Sequence, residues 1–237
     1  MKGVILAGGF GTRLHPLTRI TNKHLLPVYN KPMILYSLET LKNSGINKIM
    51  IVCGKEHGGD FMNFLGSGKE YGVKISYSLQ NGAGGIAEAL SLAEDFADNG
   101  KIAVILGDNI FENDFSRDIK EFKNQEGAKV FIKKVEDPSR FGVAELNNDK
   151  IIGIEEKPKN PKSKFATVGF YLYNSDIFNK IRKLKPSARG EVEITDAHNL
   201  YIKDNKLFYG IVNGFWSDAG TFDSLLKTSQ WIAKKSK

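Results

Sequence analysis

Short, continuously apolar runs alternate along the first half of the chain with stretches whose apolar residues recur every third or fourth position. Val4-Ile5-Leu6 reads as a buried strand. Met33, Ile34, Leu38 and Leu41 fall near 3.6-residue spacing and predict a helix over Pro32 to Lys42. Lys48 to Val52 reads as a second strand, Phe61 to Leu65 as a short helix and Val73 to Tyr77 as a third strand. Ile86, Leu90, Ala93 and Ala97 share one face of a helix predicted from Ile86 to Phe96, and Ile102 to Leu106 is a fourth, wholly apolar strand. Such runs suit a sheet buried on both faces. The βαβαβαβ order predicts an α/β fold with a largely parallel sheet.

Beyond Asp118 the pattern changes. Ala128 to Lys134, Val143 to Leu146, Lys150 to Ile154 and Phe165 to Tyr173 are strand candidates with short turns between them. They predict an antiparallel addition to the sheet, with Asn147-Asn148-Asp149 as a hairpin turn. Helices follow at Ser175 to Lys183 and Ile194 to Lys203, then a strand at Leu207 to Val212 and a helix from Thr221 to about Lys234. Nothing reads as a linker, a repeat or a low-complexity stretch, and Pro158 to Lys162 is too short to separate domains. A single domain over 1–237 is expected.

Composition narrows the class. Of 237 residues, 41% are hydrophobic and 26% charged, which excludes a disordered chain, a collagen-like fibre and a disulfide scaffold. The longest apolar runs are far shorter than the ~20 residues of a membrane helix, so no membrane partner is expected. The apolar stretch at the N-terminus is too short for a signal peptide. Cys53 is the single cysteine, and a reducing, cytoplasmic setting is expected. Net charge is +7, which fits an anionic partner or merely a lysine-rich surface. No block of five like charges occurs, so no nucleic-acid partner is expected. Phosphorylated small molecules stay open.

Three segments carry candidate chemistry. The first is Leu6-Ala7-Gly8-Gly9-Phe10-Gly11-Thr12-Arg13-Leu14, directly after the first strand. Its glycines let backbone N–H groups face a phosphate chain, and Arg13 adds a forked cation. A tight turn with a surface arginine is the plainer alternative. The segment is neither a dinucleotide fingerprint nor a P-loop. Pro16 and Pro27 predict a long extended loop after it, with Lys23 as a candidate phosphate clamp. The second segment is Leu106-Gly107-Asp108-Asn109, where Asp108 at a strand's carboxyl edge can hold Mg²⁺. Asp218 is a second carboxylate candidate. The third is Glu155-Glu156-Lys157-Pro158, either a sugar and phosphate contact or a solvated cluster. The four histidines lack metal-ligand spacing, Cys53 reads as core, and Phe215-Trp216 reads as core sooner than as a base-stacking platform.

Taken together, these blocks resemble the sugar-1-phosphate nucleotidyltransferases from residue 3 to about residue 230. The match includes Leu6 to Arg13 with Pro16-Leu17-Thr18, Lys23 to Pro27, Lys31 to Ile34, Gln80 with Gly84 to Ala89, and Leu106 to Phe111. It continues through Glu136-Asp137-Pro138, Arg140 to Val143, Glu155 to Pro158, Arg189 to Asp196 and Trp216 to Thr221. The resemblance implies a Rossmann-like three-layer fold, with a nucleotide-binding half over 1–115 and a sugar-phosphate half over 116–237. It implies the reaction of dTTP with α-D-glucose 1-phosphate to give dTDP-glucose and pyrophosphate, with Mg²⁺. Leu6, Gly8, Gly9, Gly11, Thr12, Arg13 and Lys23 would hold the triphosphate, and Gln80 and Gly85 would read the base. Asp108 and Asp218 would hold the metal. Asn109, Gly142, Glu156, Thr167 and Gly169 would contact the sugar, and Lys157 and Arg189 its phosphate.

The same resemblance implies a homo-oligomer and a downstream dTDP-sugar pathway such as that to dTDP-rhamnose. The family's usual Ala-Val-Thr-Gly reads Ala166-Thr167-Val168-Gly169 here. Longer members carry extra C-terminal helices, and this chain stops soon after Trp231, so nothing in it supports a secondary nucleotide site built from them. UTP, another hexose 1-phosphate, or a non-catalytic nucleotide-sugar sensor on the same fold are the alternative readings.

Overall fold

The computed structural model describes residues 1–236. In chain order the first elements are β1 (Lys2–Ala7), β2 (Pro27–Val28), β3 (Lys31–Pro32), α1 (Met33–Asn43), β4 (Lys48–Gly54), α2 (Gly58–Leu65) and β5 (Lys74–Gln80). Next come α3 (Ile86–Ser91), α4 (Glu94–Ala97), β6 (Ile102–Leu106), β7 (Asn109–Phe111), α5 (Ser116–Phe122), β8 (Ala128–Lys134), β9 (Gly142–Asn147) and β10 (Lys150–Glu156). The chain ends with β11 (Phe165–Tyr173), α6 (Ile177–Ile181), α7 (Ile194–Lys203), β12 (Leu207–Ile211), β13 (Trp216–Asp218) and α8 (Phe222–Lys235).

Nine strands form one mixed sheet. β1 lies between β4 and β6, parallel to both, and β5 extends the parallel half beyond β4. β11 runs antiparallel to β6 and carries the rest: β8 and β9 pair with it, β10 with β9, and β12 runs parallel to β8. The mixed α/β sheet with an antiparallel addition is the architecture the hydrophobic pattern predicts. Side chains alternate across the pleat, so the apolar run of β1 feeds two cores. Val4 and Leu6 face α3, α6 and α7 with Val104, Val130 and Tyr173. Ile5 and Ala7 face α1, α2 and α5 with Ile51, Ile105 and Phe170. That double burial makes these strands read as unbroken apolar runs.

Several elements depart from the sequence reading for local reasons. The helix predicted from Ile86 to Phe96 is two pieces, because Ala93 N–H bonds Leu90 O at 3.0 Å, a tighter i→i−3 closure that interrupts the α-helical ladder. The segment between Pro16 and Pro27 is not extended. It coils through two 3₁₀ turns, Leu17–Arg19 and Lys23–Leu25, after a first at Thr12–Leu14. β5 runs on to Gln80 rather than ending at Tyr77, and α6 is shorter than Ser175 to Lys183. The short β7–β13 pair and α5 lie outside the predicted elements. The hairpin turn is found: Asn148 and Asp149 both hold positive φ, 44° and 58°, as a two-residue type I′ loop requires.

Some of the basic excess is structural. Lys101 donates to the carbonyls of Phe122, Lys123 and Gln125 at the end of α5, and Lys133 to those of Val212 and Gly214. Under the sheet the rings of Phe115 and Phe170 stack at 4.0 Å, with Phe131 edge-on to both at 4.9 and 5.4 Å. All three are essentially fully buried. Phe170→Ala empties the centre of that cluster, so urea unfolding is expected to show a loss of about 3–5 kcal/mol.

Candidate active site

From β1 the chain steps to β4 and β5 on one side and later returns to β6 on the other. The carboxyl ends of β1 and β6 therefore flank a switch point, where open α/β sheets form a crevice. A cleft of about 350 Å³ lies there. On one side it is lined by Leu6, Gly8, Gly9, Arg13, Lys23, Gln80, Gly85 and Asp108. The antiparallel half contributes Gly142 at the start of β9, Glu156 at the end of β10, and Thr167 and Gly169 from β11. Asn109, Lys157 and Asp218 complete the expected set within it. Gly11, Thr12 and Arg189 do not line it.

The glycine loop is held by its backbone. Gly11 adopts φ +61°, and Thr18 Oγ1 donates to its carbonyl at 2.9 Å. A Cβ on Gly8 would run into the Gln80 side chain, which is buried at the carboxyl end of β5. Gln80 Nε2 is tied to Glu88 Oε2 at 3.2 Å. Further along, Asn22 caps the third 3₁₀ turn by accepting from His24 N–H at 2.9 Å, and that turn aims Lys23 into the cleft. Lys23 Nζ then donates to Asp108 Oδ2 at 2.5 Å, with both side chains largely buried. His24 packs beneath them against Gly107. Burial first, and the Lys23 charge second, lower its pKa to about 3, so it stays neutral.

Asp108 is the best-braced carboxylate in the cleft. Burial alone pushes its pKa up, but the Lys23 ammonium and the hydrogen bonds from Lys23 and Asn109 outweigh that and hold it well below the usual range. Asn109 is a hub. Its Nδ2 donates to Asp108 Oδ1 at 2.9 Å, while its Oδ1 accepts from Gly169 N–H at 2.9 Å and from Trp216 Nε1 at 2.7 Å. One amide on β7 thus ties Asp108 to β11 and β13. Asp218 is the contrast: burial first and the Asp108 charge second raise its pKa to about 6, against the pull of Arg140, Arg13 and Lys23.

Across the cleft, burial raises the Glu156 pKa, and Thr167 Oγ1 donates to Gly142 O at 3.1 Å. Lys157 takes a left-handed φ of 44° and sits 3.8 Å from Glu156. Arg189 is clamped outside the cleft: Nη2 reaches both oxygens of Glu193 at 2.9 Å and Glu191 at 3.0 Å, and stands 4.0 Å from Glu156. The sequence reading gave Arg140 no role in the site, yet its Nη2 donates to Asp218 Oδ2 at 3.2 Å. It also put the Phe215-Trp216 pair in the core. Phe215 does stack on Trp231, 4.2 Å between centroids, but Trp216 lines the cleft beside Phe141. Two hard carboxylates facing cations, with room for phosphate oxygens, form the donor set Mg²⁺ commonly takes from a protein. No cluster of three or more metal-ligating side chains occurs among the described residues.

A nucleotidyl transferase family model matches residues 2–235, and the chain belongs to that family. Among its curated relatives is a glucose-1-phosphate thymidylyltransferase of Neisseria meningitidis, 44% identical over 98% of this chain and 82% of the relative. A crystal structure of a Bacillus anthracis protein assigned as a glucose-1-phosphate thymidylyltransferase, bound to sucrose, superposes with a TM-score of 0.94. It is 56% identical and covers 98% of this chain and 94% of that one. A UDP-glucose pyrophosphorylase in complex with UDP-glucose gives a TM-score of 0.87 at 26% identity, over 99% and 98% of the two chains.

A raised carboxyl pKa means that the fold favours the neutral acid. Asp218 therefore adds stability below its unfolded value near 4 and loses it as pH rises through about 6. In the absence of divalent cations, Asp218→Asn is expected to gain on the parent between pH 4 and pH 7, by up to about 3 kcal/mol. Paired denaturation curves at the two pH values measure this, and parallel shifts in both proteins would contradict it.

Proposed function

We propose that this chain transfers the thymidylyl group of dTTP to α-D-glucose 1-phosphate, releasing pyrophosphate and dTDP-glucose. The observation that carries the reading is the cleft itself. A glycine loop with Arg13 and Lys23 stands on one side, a hydroxyl-matching wall of Glu156 and Thr167 on the other, and Asp108 and Asp218 between them. The names of the relatives support the same substrates.

The chemistry asks little covalent help of the protein. A phosphate oxygen of the sugar phosphate attacks the α-phosphorus of dTTP, and the bond from that phosphorus to the β-phosphate oxygen breaks. The nucleophile is already anionic, so no general base is required. What must be supplied is alignment of two anions that repel each other. Arg13 would take up charge on the departing pyrophosphate, and Lys23 would turn from Asp108 to phosphate oxygens. Asp108 and Asp218 would hold Mg²⁺, which when bound withdraws charge from the phosphate oxygens. Gly8, Gly9, Gly11 and Thr12 would carry the triphosphate on their backbone, with Leu6 beneath. Gln80 and Gly85 would meet the thymine edge, and Gly142, Glu156, Thr167, Gly169 and Asn109 the sugar. Lys157, and Arg189 once released from its carboxylates, would grip the sugar phosphate.

Besides meeting the sugar, Asn109 would hold Asp108 in place, since its Nδ2 donates to Asp108 Oδ1. UTP is the alternative donor, favoured by the likeness to UDP-glucose pyrophosphorylase. Thymine differs from uracil by one methyl, worth ~1–3 kcal/mol in a pocket. A cytoplasmic setting is consistent with the buried free thiol of Cys53, and we place the enzyme there as a homo-oligomer, as the family resemblance implies.

The test is pyrophosphate release with Mg²⁺ from dTTP, UTP, CTP, ATP and GTP in turn, with and without glucose 1-phosphate. Sugar-dependent release that is fastest with dTTP is expected. No sugar-dependent release from folded protein would discard the substrate pair. Asp108→Asn is expected to stay folded and lose on the order of 10²–10³ in kcat, comparable to loss of one transition-state charge contact. Near-parental turnover in that variant would remove Asp108 from the chemistry.

A further inference from the structure

We propose that Asn199, which lines no portion of the cleft, is a positioning residue that sets the sugar-phosphate wall. The inference rests on the substrate reading above and deepens it.

β10 is the outermost strand on its side of the sheet. Its pairing with β9 slips between Ile151 and Gly153, where a bulge lets the strand bend. Immediately beyond, Ile154 is buried and lies opposite Ala144. Its two backbone groups go to a side chain instead of a strand. Asn199 Oδ1 accepts from Ile154 N–H at 3.0 Å, and Asn199 Nδ2 donates to Ile154 O at 2.8 Å. One carboxamide offers the donor and acceptor pair of a peptide unit, so Asn199 closes the sheet edge as a single-residue partner.

The position of that clamp gives it a functional consequence. Two residues past Ile154 is Glu156, and then Lys157, whose N–H bonds Phe141 O at 2.9 Å. Asn199 itself belongs to α7, whose first turn brings Ile194 and Thr195 into the cleft. The two walls meet over Gly142, where a Cβ would stand 2.8 Å from Thr195 Cγ2 and 3.3 Å from Glu156 Oε2. The Asn199–Ile154 clamp therefore fixes the spacing between α7 and the end of β10, and with it the position of Glu156 against the sugar. The glycine loop and Lys23 lie on other elements and do not feel it directly. Asparagine is required in this role: alanine leaves both Ile154 groups unpaired, and aspartate keeps only the acceptor.

Asn199→Ala is expected to raise KM for glucose 1-phosphate about 5- to 30-fold. KM for dTTP and kcat should stay within about twofold of the parent. Asn199→Asp, measured alongside in case the alanine variant does not fold, should show the same split. Amide exchange at Ile154 should quicken in either variant. A purely structural role would lower Tm and leave the two KM values in proportion. Equal changes in both KM values, or none, in a folded variant of an active parent would overturn the proposal and leave the substrate reading standing. A parent that gives no turnover with glucose 1-phosphate would overturn both.

Discussion

The ion pair between Lys23 and Asp108 is the contact on which the rest of the cleft depends. It joins the coiled segment after β1 to the carboxyl end of β6 across the switch point, at 2.5 Å and largely out of water. A buried pair of this kind carries a desolvation cost that can exceed its attraction, whereas losing either partner strands a charge. Its presence is therefore poorly explained by stability alone. It makes sense as two groups stored against each other, one suited to phosphate oxygens and the other to a divalent cation.

The surrounding structure keeps that pair in register. Thr18 and Asn22 fold the loop that presents Lys23, and His24 is kept neutral underneath by burial. On the other side, Asn109 orients Asp108 and ties it to the antiparallel half through Gly169 and Trp216. The parallel half thus presents the charged groups at a switch point, as its topology dictates. The antiparallel half brings Glu156 and Thr167 to the same opening.

The features legible in the sequence are those governed by local periodicity or local backbone chemistry. The apolar runs of β1 and β6 announce doubly buried strands, and the Asn148-Asp149 pair announces its turn. The glycines after β1 and Asp108 after β6 are legible as candidates because strand ends are readable. The segment from Pro16 to Pro27 reads as extended but is coiled by side-chain-to-backbone bonds, and such bonds leave no repeat in the sequence. Arg140 and Trp216 acquire their places through partners 78 and 107 residues away, Asp218 and Asn109. No spacing reveals such pairings. The carboxylate clamp on Arg189 likewise depends on how Ser187 to Glu193 turns, with Gly190 at φ +75°.

The most direct test of the stored pair is the double variant Lys23→Met/Asp108→Leu, compared with each single variant in both denaturant unfolding and sugar-dependent pyrophosphate release. Each single change should cost about 3–5 kcal/mol of stability by leaving one charge unpaired, and the double variant should regain most of that loss. All three should lack turnover under the roles proposed for Lys23 and Asp108. A double variant as unstable as the sum of the two single changes, or one that turns over near the parental rate, would contradict the central role given to the pair.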